Sequence, residues 1–290
     1  MEWERAKNYI LVFFILLNLG LGFLWFMEYN RYVMTTEQER IIHSILSQNN
    51  ISMYTRPMRR SPPMRPLNVY GFYYDTNHLI NMFFENPEAV EEIPQNDFLQ
   101  FISDNNSRLE ISNGFISYEN ESPYGFQSTA LYFTNGLFTR HTAVGLADNF
   151  INTNFPNFVQ ETIFYVDDGV RITYRQSYRG RIVHSNFVEF LITSKGIRQI
   201  NMQFGQVSGH GGTSQMIFSP DEALLTFVQR YRHISLESPR VITHMDIAYF
   251  QEYISEQPGV PLSAIPYYRI FVQGDDRPFL INAFTNVIID

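Results

Sequence analysis

The sequence predicts an α+β protein, with an N-terminal transmembrane helix followed by an ectodomain of antiparallel sheets with packed helices. An uncharged apolar run occupies residues 9–27. The chain is rich in aromatic residues, with 26 Phe and 18 Tyr among 290 residues, and aromatic side chains favour strands. Short apolar runs separated by turn residues recur in the rest of the chain, a pattern that is typical of antiparallel sheet.

Charge and cysteine content exclude several classes of function. The formal net charge is −8, and lysine occurs only at Lys7 and Lys195, so the sequence predicts no basic surface for nucleic acid. The chain contains no cysteine, which excludes disulfides, cysteine-ligated zinc and thiol catalysis. We therefore expect no nucleic-acid partner.

Residues 9–27 are predicted to form an uncleaved, single-pass membrane anchor. At about 1.5 Å rise per residue, this run reaches roughly the thickness of the hydrocarbon core of a bilayer. A cleaved signal peptide is the alternative, but the run is longer than a usual signal-peptide core and no Ala-x-Ala-like site follows it. We expect residues 1–8 to lie in the cytoplasm and the long C-terminal part to lie outside the cell, as in a signal anchor.

One face of the predicted membrane helix carries residues that are unusual in such a helix. Asn18 is the polar exception within the run, and Gly22, Trp25 and Tyr29 follow it at helical spacing. This stripe is a candidate contact face for another membrane helix. The alternative is that Asn18 is merely tolerated, while Trp25 and Tyr29 mark the outer membrane interface.

Residues 28–66 are predicted to form a juxtamembrane helix and a linker rich in proline and arginine. Thr36 and Glu39 have the spacing of a capping box, and apolar residues follow at helical spacing until Asn49. Prolines in residues 56–66 favour extended backbone and indicate a linker or an edge segment. Four arginines of this linker are candidates for contact with an anionic surface: Arg56, Arg59, Arg60 and Arg65. The alternative is a stiff, solvated connector.

The remainder is predicted to form three ectodomain units. Residues 67–140 form a first α+β unit, and residues 141–212 and 213–290 form two units that each consist of a helix and a strand meander. The second unit begins with a helical pattern over residues 143–155. The third begins at Ser219, a good N-cap residue that is followed by proline at the first helical position.

Candidate catalytic and ligand-binding groups are few. Hydrolase and nucleotide-binding motifs are missing, and the acidic pairs at 167–168 and 275–276 read as hairpin turns, because calcium-loop spacing is absent. The glycine-rich residues 205–214 read as a linker between units. His184 and Ser185 are neighbours in a predicted strand, where successive side chains point to opposite faces, so they would not form a base–nucleophile pair. We expect no enzyme activity, no catalytic residue, no cofactor and no metal.

Four segments resemble the YycI family, which comprises accessory proteins of the YycFG (WalRK) two-component system of low-GC Gram-positive bacteria. They are Met1-Glu2-Trp3, Ile45-Leu46-Ser47-Gln48-Asn49-Asn50-Ile51, residues 266–271 and residues 279–288. The resemblance implies two membrane partners, a YycH-like protein and a sensor histidine kinase similar to YycG (WalK). It implies no catalytic residue.

The resulting expectation is a membrane-anchored accessory protein that modulates a sensor histidine kinase of cell-wall metabolism. Contacts would be made through the membrane helix and the ectodomain, with the lipid bilayer as a further partner. One alternative is an anchored module that binds cell-wall polymer through the linker arginines. A second is a wall hydrolase that uses His184 or the acidic pairs.

Overall fold

The computed structural model describes residues 2–71, 75–95, 98–103, 106–112, 114–121, 139–167, 169–203, 205–231, 239–251 and 260–289. The helices are α1 Glu2–Arg31, α2 Thr36–Gln48, α3 Thr76–Phe83, α4 Arg140–Asn154 and α5 Pro220–Tyr231, with one 3₁₀ turn at Pro87–Ala89.

The strands are β1 Ile51–Met53, β2 Leu67–Gly71, β3 Glu91–Pro94, β4 Leu99–Ile102, β5 Ser107–Ser112, β6 Phe115–Asn120, β7 Phe158–Val166, β8 Gly169–Tyr178, β9 Arg181–Thr193, β10 Gly196–Gln203, β11 Gly205–His210, β12 Arg240–Phe250, β13 Pro261–Val272, β14 Phe279–Asn282 and β15 Ile288–Ile289. An apolar N-terminal helix thus precedes a region of many strands and few helices, and the predicted α+β class is confirmed.

The described chain divides into two compact units, and each is assembled from separated stretches. The first unit comprises residues 1–64, 214–246 and 267–290, and the second comprises residues 65–213 and 247–266. The three ectodomain units inferred from the sequence stay predictions.

The first unit contains α1, α2, α5 and a small mixed sheet. β1 pairs in parallel with the start of β12, so that Ile51 lies opposite Arg240. β14 pairs antiparallel with both β13 and β15. α2 packs against α5 and buries Ile42 and Leu46, while α5 buries Phe227 among other residues. The apolar stripes of two short helices therefore supply much of this core.

The second unit is built on an antiparallel sheet in the order β7-β8-β9-β10-β6-β5-β4-β3. α3 and α4 pack on it through aromatic rings. Phe83 of α3 stacks on Tyr118 of β6 with ring centroids 5.0 Å apart, and Phe150 of α4 meets Phe190 of β9 edge to face at 5.4 Å. Tyr174 of β8 donates a hydrogen bond of 2.6 Å from its hydroxyl to Asp148 of α4. Aromatic packing thus joins both helices to the sheet.

Two local predictions about helix starts have different outcomes. The start of α5 is confirmed, because the helix begins at Pro220 and the backbone N–H of Ser219 donates to the carboxylate of Glu222 at 2.7 Å. The capping box of α2 lies one residue earlier than predicted, with Thr35 as N-cap and Gln38 as the residue that reaches back. Two adjacent threonines, followed by Gln38 and Glu39, satisfy the same pattern in two registers, and the sequence does not distinguish them.

The glycine-rich residues 205–214 are not wholly a linker, because residues 205–210 form β11, which pairs with β2. A Cβ atom on Gly205 would lie 2.5 Å from Cγ1 of Val69 and 2.7 Å from the carbonyl oxygen of Tyr70. Glycine is therefore required here by the close approach of two strands. In the sequence alone, the same glycine indicates a loop.

The two glycines Gly169 and Gly145 give a paired prediction about stability. A Cβ on Gly169 would lie 2.2 Å from the carbonyl oxygen of Ile192, so Gly169→Ala should lower the free energy of unfolding by about 1–3 kcal/mol. A Cβ on Gly145, inside α4, meets nothing within 4 Å, and Gly145→Ala should raise that free energy by about 0.5–1 kcal/mol. Urea titration of the detergent-solubilised protein, followed by circular dichroism, measures both. Equal stability of Gly169→Ala and the natural protein would contradict the β8–β9 register.

Candidate functional site

The membrane-compatible part of α1 is the most exposed apolar surface of the described chain. Lys7–Met27 spans 21 residues, is long and apolar enough to cross a membrane, and has none of its residues buried. Phe13 and Leu24, for example, are 61% and 63% exposed. A surface of this extent is not stable in water, so lipid or protein must cover it. One such helix near an N-terminus also fits a signal sequence, and anchorage with its topology stays a prediction.

Three of the four predicted stripe residues lie on one face of this helix. Asn18, Gly22 and Trp25 recur at spacings of four and three residues within continuous helix, and the side chain of Tyr29 lies outside the described part. The side-chain amide of Asn18 donates a 2.8 Å hydrogen bond to the carbonyl oxygen of Phe14. Its own helix therefore satisfies one N–H of the amide. The second N–H and the amide oxygen remain for a partner on this face.

Gly22 is not required by the fold of its own helix. A Cβ atom there would meet nothing within 4 Å among the described residues. Glycine also lowers helix stability relative to alanine by roughly 1 kcal/mol, so its presence calls for another reason. In membrane helices small residues allow a neighbouring backbone to approach closely, which is consistent with the predicted contact face.

The proline–arginine segment, predicted as a linker or an edge segment, pairs with the residues that follow α1 in the first unit. Arg60 forms an antiparallel β-bridge with Val33, two residues beyond the end of α1. Met34 donates its backbone N–H to the carbonyl oxygen of Arg59 at 2.8 Å, and Ser61 donates to that of Tyr32 at 3.0 Å. Between its prolines the segment keeps enough backbone donors and acceptors to pair as an edge segment does.

The four linker arginines are exposed, and Arg59 forms an ion pair. Arg59 donates from Nη2 to Oε2 of Glu39 in α2, whose side chain is only 13% exposed. Arg56, Arg60 and Arg65 present exposed side chains. The structure thus places Arg59 and Arg60 at the end of α1, whereas Arg65 belongs to the second unit.

Three residues of the two acidic pairs are described, namely Asp167, Asp275 and Asp276. No group of three His, Asp or Glu that is close enough to hold a metal occurs among the described residues. Asp275 lies in the turn after β13, next to Gly274 with φ of +89°, and accepts hydrogen bonds of 3.3 Å from Arg240 and Tyr231. Burial and the charge of Asp275 raise the pKa of Tyr231 to about 12. Asp168 lies outside the described residues.

His184 and Ser185 do not form a catalytic pair. Both side chains are buried, and the ring of His184 lies 5.9 Å from the ring of Phe250. The hydroxyl of Ser185 has no hydrogen-bond partner within the described part of the chain, so it is not activated by His184.

An ion pair between a buried arginine and a partly buried aspartate in the first unit was not predicted from the sequence. The side chain of Arg269 on β13 is 3% exposed and donates two hydrogen bonds to Asp246 on β12, at 2.8 Å from Nε and 2.6 Å from Nη2. His244 lies 3.5 Å from the same carboxylate. Asp246 and Arg269 are charged residues inside otherwise apolar, strand-like runs, and this was the signal in the sequence that could have indicated the pair.

The pKa of Asp246 reflects two opposed effects. Burial alone would raise the pKa of this carboxyl, but the hydrogen bonds and positive charges of Arg269 and His244 lower it to about 2. The arrangement is that of a structural pair between two neighbouring strands. We assign it a role in folding and not in catalysis.

Comparisons with known proteins identify a similar fold. No family model and no curated protein matches the chain. An uncharacterized protein from Eubacterium rectale ATCC 33656 has a similar structure, with a TM-score of 0.50 and 10% sequence identity over 83% of this chain and 89% of that chain. The C-terminal domain of Bacillus megaterium YpeB has a TM-score of 0.43 and 10% identity over 76% of this chain and 97% of that chain. The YycI resemblance thus stays a prediction.

The Arg269–Asp246 pair gives a prediction about stability and pH. Arg269→Met leaves a partly buried carboxylate without its main partner and should lower the free energy of unfolding by about 3–5 kcal/mol at pH 7. Because the folded pKa of Asp246 lies below its unfolded value of about 3.9, the contribution of the pair is present above that pH and is lost as pH falls towards 2. Urea titrations at pH 7, 4 and 2 should therefore show a shrinking difference between variant and natural protein.

Arg171→Met is the matched control for this prediction. Arg171 pairs with Glu189 at 3.9 Å on the surface, so its loss should cost less than about 1 kcal/mol. Equal effects of the two substitutions, or an Arg269→Met effect that is the same at pH 7 and pH 2, would refute the assignment.

Proposed function

We propose that this protein is a membrane-anchored accessory protein that modulates a sensor histidine kinase of cell-wall metabolism. The observation that carries the proposal is the exposed apolar stretch Lys7–Met27 with Asn18, Gly22 and Trp25 on one face. A helix that only anchors a domain needs neither a glycine nor an amide on a shared face. The resemblance to the YycI family supplies the identity of the partners, the kinase and a YycH-like membrane protein.

In this proposal α1 spans the membrane with its N-terminus in the cytoplasm. A large, strand-rich region follows the apolar stretch, and long C-terminal parts are translocated largely regardless of their charge. The ectodomain then lies outside the cell, where further contacts with the partners add to those of the helix.

A non-enzymatic role is part of the proposal. The sequence lacks recognised hydrolase motifs, and the buried His184 and Ser185 are not arranged as a base and a nucleophile. These observations favour regulation by binding over an anchored wall hydrolase.

Substitutions on the proposed contact face should weaken partner association without unfolding the ectodomain. Asn18→Leu removes a polar group whose contacts between membrane helices contribute about 0.6–2 kcal/mol, equivalent to about 3- to 30-fold in affinity. Gly22→Leu should act by bulk, because a large side chain prevents close approach of a second helix. Co-purification of the full chain with the kinase and the YycH-like protein from native membranes measures the association.

Leu17→Ala is the control, because Leu17 lies on a different side of the helix. It should leave association unchanged, and all three variants should keep the circular dichroism spectrum of the natural protein. If neither Asn18→Leu nor Gly22→Leu reduces the recovery of either partner, recognition through α1 is refuted and must occur in the ectodomain.

A further inference from the structure

The β-bridge between Val33 and Arg60 fixes two arginines close to the end of the membrane helix. Arg59 and Arg60 follow the end of α1 by 28 and 29 residues in the sequence. The pairing of Met34 with Arg59 and of Tyr32 with Ser61 holds this segment on both sides of the bridge. The position of both arginines along the membrane normal is thus coupled to that of α1.

Helix geometry limits how far Arg60 lies from the hydrocarbon core. Four helical residues separate Met27, the last residue of the apolar stretch, from the end of α1, and two more residues reach Val33. At about 1.5 Å per helical residue and at most about 3.5 Å per extended residue, Val33 lies no more than roughly 13 Å beyond the core. Headgroups occupy the first 5–8 Å or so of that distance. The remainder is within about one Debye length at physiological ionic strength.

The segment that follows the apolar stretch carries a net positive charge, which an anionic membrane surface attracts. Residues 28–66 contain six arginines and three glutamates, within a chain of net charge −8. The ion pair with Glu39 holds the guanidinium of Arg59 next to α2, while 47% of the Arg59 side chain stays exposed. A guanidinium has five N–H donors, so one ion pair leaves donors for a phosphate.

From this placement we infer that Arg59 and Arg60 bind the anionic headgroups of the membrane phospholipids around α1. The inference rests on the membrane anchorage in the proposed function, but it does not depend on the kinase. Phosphates of a wall polymer share this chemistry, but the bridge to Val33 keeps Arg59 and Arg60 within about one Debye length of the lipid headgroups. Binding to lipid would fix the height and tilt of the first unit relative to the bilayer.

The absence of cysteine from the chain allows a direct test on the full-length protein. Pro62 is exposed, so Pro62→Cys supplies one thiol for a nitroxide label beside the two arginines. The labelled protein is reconstituted in bilayers of phosphatidylcholine alone or with phosphatidylglycerol. Resistance to alkaline extraction is measured first, because loss of the protein from the bilayer would refute the anchorage itself.

Collisional access of a water-soluble paramagnetic reagent to the label is then measured. Access should be at least about twofold lower in the bilayers that contain phosphatidylglycerol, and the difference should vanish at about 1 M salt, where the Debye length is roughly 3 Å. The double variant Arg59→Gln, Arg60→Gln should abolish the difference at low salt. Arg59→Lys, Arg60→Lys should retain it, which separates loss of charge from loss of structure.

Arg198→Gln removes one exposed charge of the second unit and serves as the control, with the lipid dependence intact. Equal access in both bilayers for the natural protein would overturn the inference. So would a lipid dependence that survives the double glutamine variant. If soluble polyglycerol phosphate lowers access in phosphatidylcholine bilayers and phosphatidylglycerol does not, the site binds polymer and the assignment to lipid is wrong.

Discussion

The apolar surface of α1 sets the conditions for the rest of this molecule. No residue of the stretch Lys7–Met27 is buried, so the free energy of this surface depends on what surrounds it. A bilayer of ordinary thickness covers the whole stretch. Once the helix is placed in a membrane, the position of every residue bonded to its end is constrained as well.

That constraint reaches the rest of the first unit through backbone hydrogen bonds. The bonds from Met34 to Arg59 and from Ser61 to Tyr32 connect the end of α1 to the proline–arginine segment, and Met64 pairs further along with Gln215. A segment with several prolines has few conformations to lose, so holding it in one costs less entropy than holding a flexible linker. A rotation or shift of α1 would therefore be passed to the rest of the first unit and would not be absorbed by a loose connector.

Sequence reasoning succeeded where the determinants are local. The apolar stretch of α1 and the start of α5 at Ser219 and Pro220 depend on residues within a few positions of one another, and both were predicted. The bridge of Arg60 to Val33 and the pair of Arg269 with Asp246 depend on partners 27 and 23 residues away. No pattern within a short window encodes such pairings. Gly205 is a further case, because glycine occurs in loops and also where two strands approach closely.

The central claim is that one face of α1 recognises the kinase in the membrane, and site-specific photo-crosslinking in cells tests it most directly. A photoreactive aromatic amino acid is placed at Trp25 on the proposed face, which leaves Asn18 and Gly22 intact, or at Leu16 on the opposite face, and the crosslinked proteins are identified. The probe at position 25 should capture the sensor kinase or the YycH-like protein, while the probe at position 16 should capture neither above background. Equal capture from both positions, or no kinase and no YycH-like protein among the products at position 25, would contradict the claim.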